Sequence, residues 1–401
     1  MDVVLRVLTL NCWALPQPWP IGSKHRSYRL AKLAEALAAG TYDIVALQEL
    51  WDESDFVKIK DAVRSTLPFS HYYHSGLTGS GVCILSRFPI VSTLMHRYSL
   101  NGYAHHIHRG DWFGGKVVGM AEVEIGDLNI NVYSTHLHAE YDKENDLYLP
   151  HRLCQAFELS QFVKHTAKGA HLSLVTGDFN MEPSDLGYRV ILCNAKVKDA
   201  WTMRSTSADD DTGATCERPD NIYTPKSMLK LCPDGKRLDY IMYRKGHADI
   251  ELVKCENRLN RISENEDDVN YSDHIAVYAE FQIKTMGRRS SMNSSATKEE
   301  CEPAAPLLGK AIQILENGER RAKWDRRFYV AIIVVLATIF IASVNVEIHF
   351  PAWAIPALIT RVLLTLIIGF CVWYGFFGLT MEEKALKAAK LSMVQLLNDT
   401  T

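Results

Sequence analysis

Five short stretches each close an apolar or alternating run on polar side chains: Leu10-Asn11-Cys12-Trp13, Leu47-Gln48-Glu49, Ser134-Thr135-His136-Leu137, Gly177-Asp178-Phe179-Asn180 and Ser272-Asp273-His274. Such runs read as buried strands, so their ends would present carboxylates, amides and imidazoles side by side at the rim of a sheet. That set suits phosphate chemistry, which needs a base for water and donors for growing negative charge. Asp and Asn also end strands for local hydrogen-bonding reasons, and it is the recurrence that argues for a site. Glu49 follows the apolar run 43–47, where an unpaired carboxylate would be costly. A hard divalent cation would satisfy it, as would a salt bridge to an arginine; magnesium suits one or two carboxylates, an amide such as Asn11 and several retained waters. His136 and His274 stand at strand edges beside polar partners. Asp273 cannot share the His274 ring, because neighbours along a strand point to opposite faces. Asp239, at the start of another apolar run, is the better acceptor for its Nδ1 proton.

The segment Gly110-Asp111-Trp112-Phe113-Gly114-Gly115-Lys116-Val117 has phosphate-loop spacing, but Val117 replaces the hydroxyl residue that would hold magnesium. A β-patterned stretch follows it where a phosphate loop needs a helix, so nucleotide hydrolysis is rejected. Delivery of Lys116 to a substrate phosphate stands beside a purely structural turn. The triplet Asp209-Asp210-Asp211 lacks the ligand alternation of a calcium loop and reads as solvated. Nine cysteines without CxxC pairs or zinc spacing read as reduced thiols, Cys12 included.

These residues need a frame. Strand-like runs at 3–10, 43–49, 81–86, 117–125, 128–135, 171–177, 237–243 and 275–283 interleave with helical patterns at about 24–39, 52–65 and 142–168. The expectation is one α/β domain over residues 1–284, two sheets packed face to face with helices outside. The first run carries Arg6 in its middle and no cleavage site, so it reads as a strand rather than a signal peptide. Residues 1–284 hold 31 Lys and Arg against 37 Asp and Glu, while residues 285–401 hold 13 against 10. That balance gives no sign of the basic face of a nucleic-acid enzyme.

The remaining chain changes character. Residues 285–306 read as a linker. The run 328–346 would form a helix of about 28 Å, apolar on every face and long enough to cross a bilayer. A second run follows at 353–379, interrupted by Arg361, which either reaches toward the hairpin turn or marks a later start of the span. Amphipathic helices are expected at 307–327 and 380–401, and basic residues lie outside the hairpin with none in its turn, so both flanks should be cytosolic, at the endoplasmic reticulum or another cell membrane.

The five motifs in this order resemble the endonuclease/exonuclease/phosphatase superfamily over residues 1–284. Within it, Asn101-Gly102-Tyr103, Gly110-Asp111-Trp112-Phe113, the stretch Thr135-His136-Leu137-His138-Ala139-Glu140-Tyr141 and the C-terminal hairpin are similar to the neutral sphingomyelinases. The resemblance implies a four-layer αββα sandwich and a magnesium-dependent hydrolase acting on a membrane lipid, with no nucleic-acid partner. It implies Glu49 as the principal metal ligand, assisted by Asn11, with Asp273 supporting the metal or phosphate side. Asn180 and His136 would grip phosphoryl oxygens, Asp178 would position water, His274 would be the base and Asp239 its orienter. Asn101, Lys116, Glu140 and Tyr141 would meet the substrate, with Glu140, Tyr141, Tyr103 and Trp112 near a choline group. A lysophospholipase C acting on lysophosphatidylcholine or lyso-platelet-activating factor would carry the same residues. A phosphoinositide phosphatase would carry a Pro-x-Trp-Cys-Asp-Arg stretch where this chain has Lys236-Arg237-Leu238-Asp239-Tyr240, and a membrane scaffold would not need complete motifs.

Overall fold

Period-two burial along the strands builds the frame. In the computed structural model, which describes residues 2–16, 22–205, 212–262, 269–284 and 304–400, two six-stranded sheets lie face to face. Numbering strands along the chain, the first sheet runs β11 (Asp249–Arg258), β14 (Ala276–Lys284), β1 (Asp2–Asn11), β2 (Ile44–Gln48), β4 (Cys83–Ser86), β3 (Phe69–Tyr72). The second runs β5 (Ile90–Arg97), β6 (Val117–Ile125), β7 (Leu128–His136), β8 (Leu172–Asp178), β10 (Asp239–Lys245), β9 (Lys198–Asp199), and β12 (Arg261–Ile262) pairs with β13 (Val269–Asn270). Leu5, Val7, Ile130, Val132, Leu172, Leu174, Ile241 and Tyr243 share one inter-sheet core. The alternate residues Leu8 and Leu10 face outward onto α1 (Arg26–Ala39) and α2 (Glu53–Ala62). Val175 and Met242 face outward toward α4 (Leu149–Thr166) and α5 (Leu186–Ala195). The four-layer sandwich is therefore present as expected. Short helices α3 (Asp111–Gly114), α6 (Ala200–Met203) and α7 (Lys226–Leu231) sit in connections.

The sequence patterns omit β3, β5, β9, β11, the β12–β13 pair and α5. Six of the eight residues of β5 are exposed, so no alternation marks it. Asp209–Asp211 as a loop and the linker up to residue 303 fall outside the described residues. The eight described cysteines are free thiols.

Beyond the sandwich, the expected juxtamembrane helix and first span are one helix, α8 (Ala304–Ala342), followed by α9 (Val346–His349), α10 (Ala354–Val372) and α11 (Leu379–Thr400). Two stretches, Ala305–His349 and Pro351–Asn398, are long and apolar enough to cross a membrane. Arg361 reaches back to the turn: its guanidinium donates to Glu347 Oε1 at 3.0 Å and also binds the Ser343 carbonyl. This shields a charge within an apolar helix. The polar ends of α8 and α11 are docked. Leu308, Ala311 and Leu315 meet Leu386, Ala389 and Met393, and both rows pack on Leu153, Phe157 and Val190 of α4 and α5.

Candidate active site

The same alternation that fills the inter-sheet core aims the chemistry. Asn11, His136, Asp178 and Asp239 continue the inward-facing rows of β1, β7, β8 and β10 to the strand ends, where the core opens. Register sets them in a line, with His136 opposite Asp178 and Asp178 opposite Asp239. Gly177 lets this happen: at its φ of +136° a Cβ would lie 2.0 Å from the Thr135 carbonyl oxygen. Glu49 and Asn180 sit just past their strands at φ +59° and +49°. Such left-handed backbone costs free energy in non-glycine residues, and here it turns both side chains into the cleft mouth.

Asn11 is fully buried, and its amide nitrogen donates to Glu49 Oε1 and Asp178 Oδ2, both at 2.9 Å. Its oxygen accepts from the Trp13 N–H at 3.0 Å, so Asn11 bridges two acids instead of offering its oxygen as a ligand. Burial raises the Glu49 carboxyl, with the charge of Asp273 adding to it, and burial beside Asp239 pushes Asp178 up to about 7. Asp273 is raised by burial and accepts from Ser272 Oγ at 3.1 Å. Ligand atoms of Glu49, His136 and Asp178 lie within 4.8 Å of one another. Two carboxylates and an imidazole this close together fit a hard divalent cation.

Asp239 Oδ2 accepts from His274 Nδ1 at 2.8 Å, leaving Nε2 facing Asp178 Oδ2 at 3.9 Å. Burial opposes charge on His274, but Cys216, Asp239 and Asp178 outweigh it and raise the imidazole well above its usual value. The Cys216 thiol is itself pushed up to about 11 by burial, so the carboxylates carry the effect at neutral pH. Asn180 donates its amide to the Leu137 carbonyl at 2.9 Å and its backbone N–H to Asp178 Oδ1 at 2.9 Å. On the other flank Lys116, 1% exposed, places Nζ 3.1 Å from His136 Nε2 and 3.4 Å from Asp111 Oδ1. Burial and the Lys116 charge drive the His136 imidazole well below its usual value, so it is neutral. Burial pushes Asp111 up, yet His138, Lys116 and the Tyr141 hydroxyl hold it below the carboxylate range.

Four residues assigned to the substrate from sequence hold partners within the protein. Asn101 is buried, donates to the Tyr98 carbonyl at 2.8 Å and lines a different cavity, together with Trp373 and Tyr374 and with Met381 and Glu382 of α11. Tyr141 binds Asp111 through its hydroxyl, and the Arg109 guanidinium covers its ring at 3.8 Å, the face a quaternary ammonium would need. Glu140 pairs with Arg152 at 3.3 Å and lines a cavity of about 170 Å³ with Asn180 and His274. Tyr103 is buried, and its hydroxyl donates to the Leu147 carbonyl at 3.1 Å. Sequence reasoning missed Asp111 as a partner of Lys116, although it lies within the glycine-rich stretch, and Arg29. The Arg29 guanidinium donates to the carbonyls of Cys12, Trp13 and Tyr271, tying together the loops that carry Asn11 and Asp273. Nothing in its helical pattern signals that task.

A family model described as the Endonuclease/Exonuclease/phosphatase family matches residues 8–274. A Caenorhabditis elegans protein provisionally named a neutral sphingomyelinase is 52% identical, over 98% of this chain and 91% of its own length. Sphingomyelin phosphodiesterase 2 of Homo sapiens is 35% identical over 81% and 75%, and an inositol phosphosphingolipids phospholipase C of Schizosaccharomyces pombe is 31% identical over 98% and 96%. Among solved structures, SmcL superposes with TM-score 0.50 at 18% identity, covering 70% of this chain and 99% of its own. An endonuclease/exonuclease/phosphatase family protein from Bacteroides thetaiotaomicron gives TM-score 0.52 at 16% identity over 71% and 100%; at these identities the two share the fold. With a carboxylate-rich cleft at the end of a four-layer sandwich and relatives matched along nearly its whole length, the chain belongs to the endonuclease/exonuclease/phosphatase family, in the branch that holds the neutral sphingomyelinases.

Proposed function

We propose that this protein is a magnesium-dependent phosphodiesterase that hydrolyses sphingomyelin to ceramide and phosphocholine from a membrane anchor whose two flanks face the cytosol. The observation that carries the chemistry is the His274–Asp239 pair, whose free Nε2 points toward the acids that Asn11 gathers. Its lipid substrate is supported by the names of relatives that this chain matches over most of their length.

Asp239 keeps the Nδ1 proton in place; the acids that favour the imidazolium would be countered by a bound cation, which leaves Nε2 as the end that takes a proton from water. Asp178, 3.9 Å from that nitrogen, orients the water for attack on phosphorus; the bond from phosphorus to the ceramide oxygen breaks, and that oxygen leaves as a hydroxyl after taking a proton from solvent. Lys116 brings positive charge to the phosphoryl oxygens, with His136 fixed beside it and Asn180 donating from the opposite rim. Glu49, with Asp178 and His136, would hold magnesium, which when bound supplies further positive charge to those oxygens. The proposed division is a catalytic unit at 1–284, a linker at 285–306, a juxtamembrane segment at 307–327, the hairpin at 328–379 and a tail at 380–401. Five basic residues, Arg320, Arg321, Lys323, Arg326 and Arg327, precede the first span and Lys384, Lys387 and Lys390 follow the second, which supports the cytosolic orientation.

The test is turnover of the purified full-length protein on sphingomyelin, lysophosphatidylcholine, lyso-platelet-activating factor and an inositol phosphosphingolipid, with and without magnesium, in heavy-oxygen water. Label is expected in phosphocholine and none in ceramide. Label in the ceramide hydroxyl, or no preference for sphingomyelin over the single-chain lipids, would overturn the reading.

A further inference from the structure

The loop between Gly102 and Trp112 lies against the membrane-spanning helices where they leave the bilayer. Ala104 is buried with Tyr329, Tyr374 and Leu379. The His105 ring meets Tyr374 at 5.0 Å, and the Trp112 ring stands edge-on to Trp373 at 5.7 Å. Phe328 and Tyr329 open the apolar part of α8 directly after Arg326 and Arg327, and Trp373 and Tyr374 directly follow α10, so the loop sits at the depth where aromatic side chains mark the membrane–water boundary. At that depth Ile107 is 69% exposed and Trp112 37% exposed, beside Leu77, 82% exposed, whose N–H binds the Phe113 carbonyl at 2.7 Å. Phe376 and Phe377 continue the apolar ridge on the helix side. The loop's charge is low despite its composition: burial lowers His105 and brings His106 down to about 4, while Arg109 is folded back over Tyr141.

Resting on the reading of the C-terminal helices as membrane spans, we infer that the 102–112 loop is a membrane-contact element that seats Ile107 and Trp112 in the interfacial layer of the bilayer its own hairpin spans. The chemistry it fits is a lipid surface, apolar at the acyl boundary and phosphate-rich above it. Its geometry reaches the cleft in one residue. Trp112 touches the span, and Asp111 before it binds Lys116 and Tyr141. The cleft is thereby held level with lipid phosphates, which a substrate leaving the acyl region by a short displacement would reach.

The test uses full-length protein in phosphatidylcholine vesicles. A photoreactive benzophenone amino acid is placed at Ile107, and separately at Val57 on the outer helix layer, 43% exposed, as the control. Irradiation followed by mass spectrometry should yield lipid adducts at position 107 at about tenfold the yield at position 57, as expected for an interfacial against an aqueous side chain. Equal yields would overturn the inference, whatever the enzyme's substrate proves to be. In parallel, Ile107→Asp should lower turnover of vesicle substrate by about tenfold while leaving turnover of a short-chain, water-soluble analogue within about twofold. An equal fall on both would mean that the loop is structural. Loss of all turnover in the unmodified protein would count against the proposed activity and leave the crosslinking result standing.

Discussion

Replacing Asp239 with asparagine separates the tasks of the buried pair. The His274 Nδ1–Asp239 Oδ2 bond is 2.8 Å long and shut away from water, and a bond to a charged group of this kind contributes roughly 1.5–3 kcal/mol. That alone predicts a fall in kcat of about tenfold to 150-fold. The second oxygen, Asp239 Oδ1, is buried without a hydrogen-bond partner among the described residues, so nothing fixes the new amide with its oxygen toward the ring. Where its nitrogen faces Nδ1, the proton moves to Nε2, the base is blocked and the loss approaches the roughly 10⁴-fold seen for the same exchange in serine-protease triads. In an even mixture of amide orientations the competent half carries nearly all the turnover, so we expect a net loss of about 10²-fold. Relief of the repulsion between Asp239 and Asp178, which lie directly opposite each other, should offset part of the stability lost with the His274 bond. Steady-state kinetics at saturating magnesium, beside thermal unfolding of the same preparation, reads both. A loss below tenfold with normal folding would refute the tautomer argument, and a large loss accompanied by unfolding would assign Asp239 to stability instead.

Glu49→Gln keeps shape but removes charge from the oxygen cluster, so activity should fall by about 10²-fold or more with partial recovery in excess magnesium; full activity in chelator would exclude a metal at Glu49. Asp178 has a folded value of about 7 against 3.8, so its protonated form contributes stability that is complete below pH 4 and lost as pH rises through 7. A divalent cation favours the ionised form, and thermal unfolding should show greater stabilisation by magnesium at pH 8 than at pH 5; equal shifts would count against the site. Tags at either end should be cut by protease added to microsomes with the cytosolic face outward, while a tag at His349 should be protected, and the opposite pattern would invert the hairpin.

How much of this was legible beforehand follows from what repeats along the chain. Strands β1, β2, β7, β8 and β10 could be read because each is an apolar run bounded by a polar residue, at its end or, in β10, at its start, and those polar residues became the cleft. The pairing of His274 with Asp239 followed from excluding its neighbour Asp273 by strand geometry. Two features had no sequence signal and a third had only part of one. The left-handed backbone at Glu49 is imposed by its surroundings, since glutamate has no preference for it. The engagement of Asn101 with the Tyr98 carbonyl depends on a local turn, and one polar residue looks the same whether its amide faces a ligand or its own backbone. The docking of α8 and α11 was part visible: their apolar stripes marked them as amphipathic, but those stripes do not say that they pack on α4 and α5 as well as on each other.

That docking has a consequence for kinetics. Because α8 runs unbroken from its contact with the sandwich into its apolar half, a swivel between catalytic layers and membrane would have to break the Leu308–Leu386–Phe157 packing. With the hairpin spanning a bilayer as proposed, an enzyme so mounted would sample substrate by lateral diffusion within one leaflet, and its concentration variable would be lipid per unit area. Diluting a suspension of vesicles at constant composition should leave its rate unchanged, whereas diluting substrate within the bilayer with an inert lipid should lower it, and lipid in neighbouring protein-free vesicles should persist until membranes fuse or exchange.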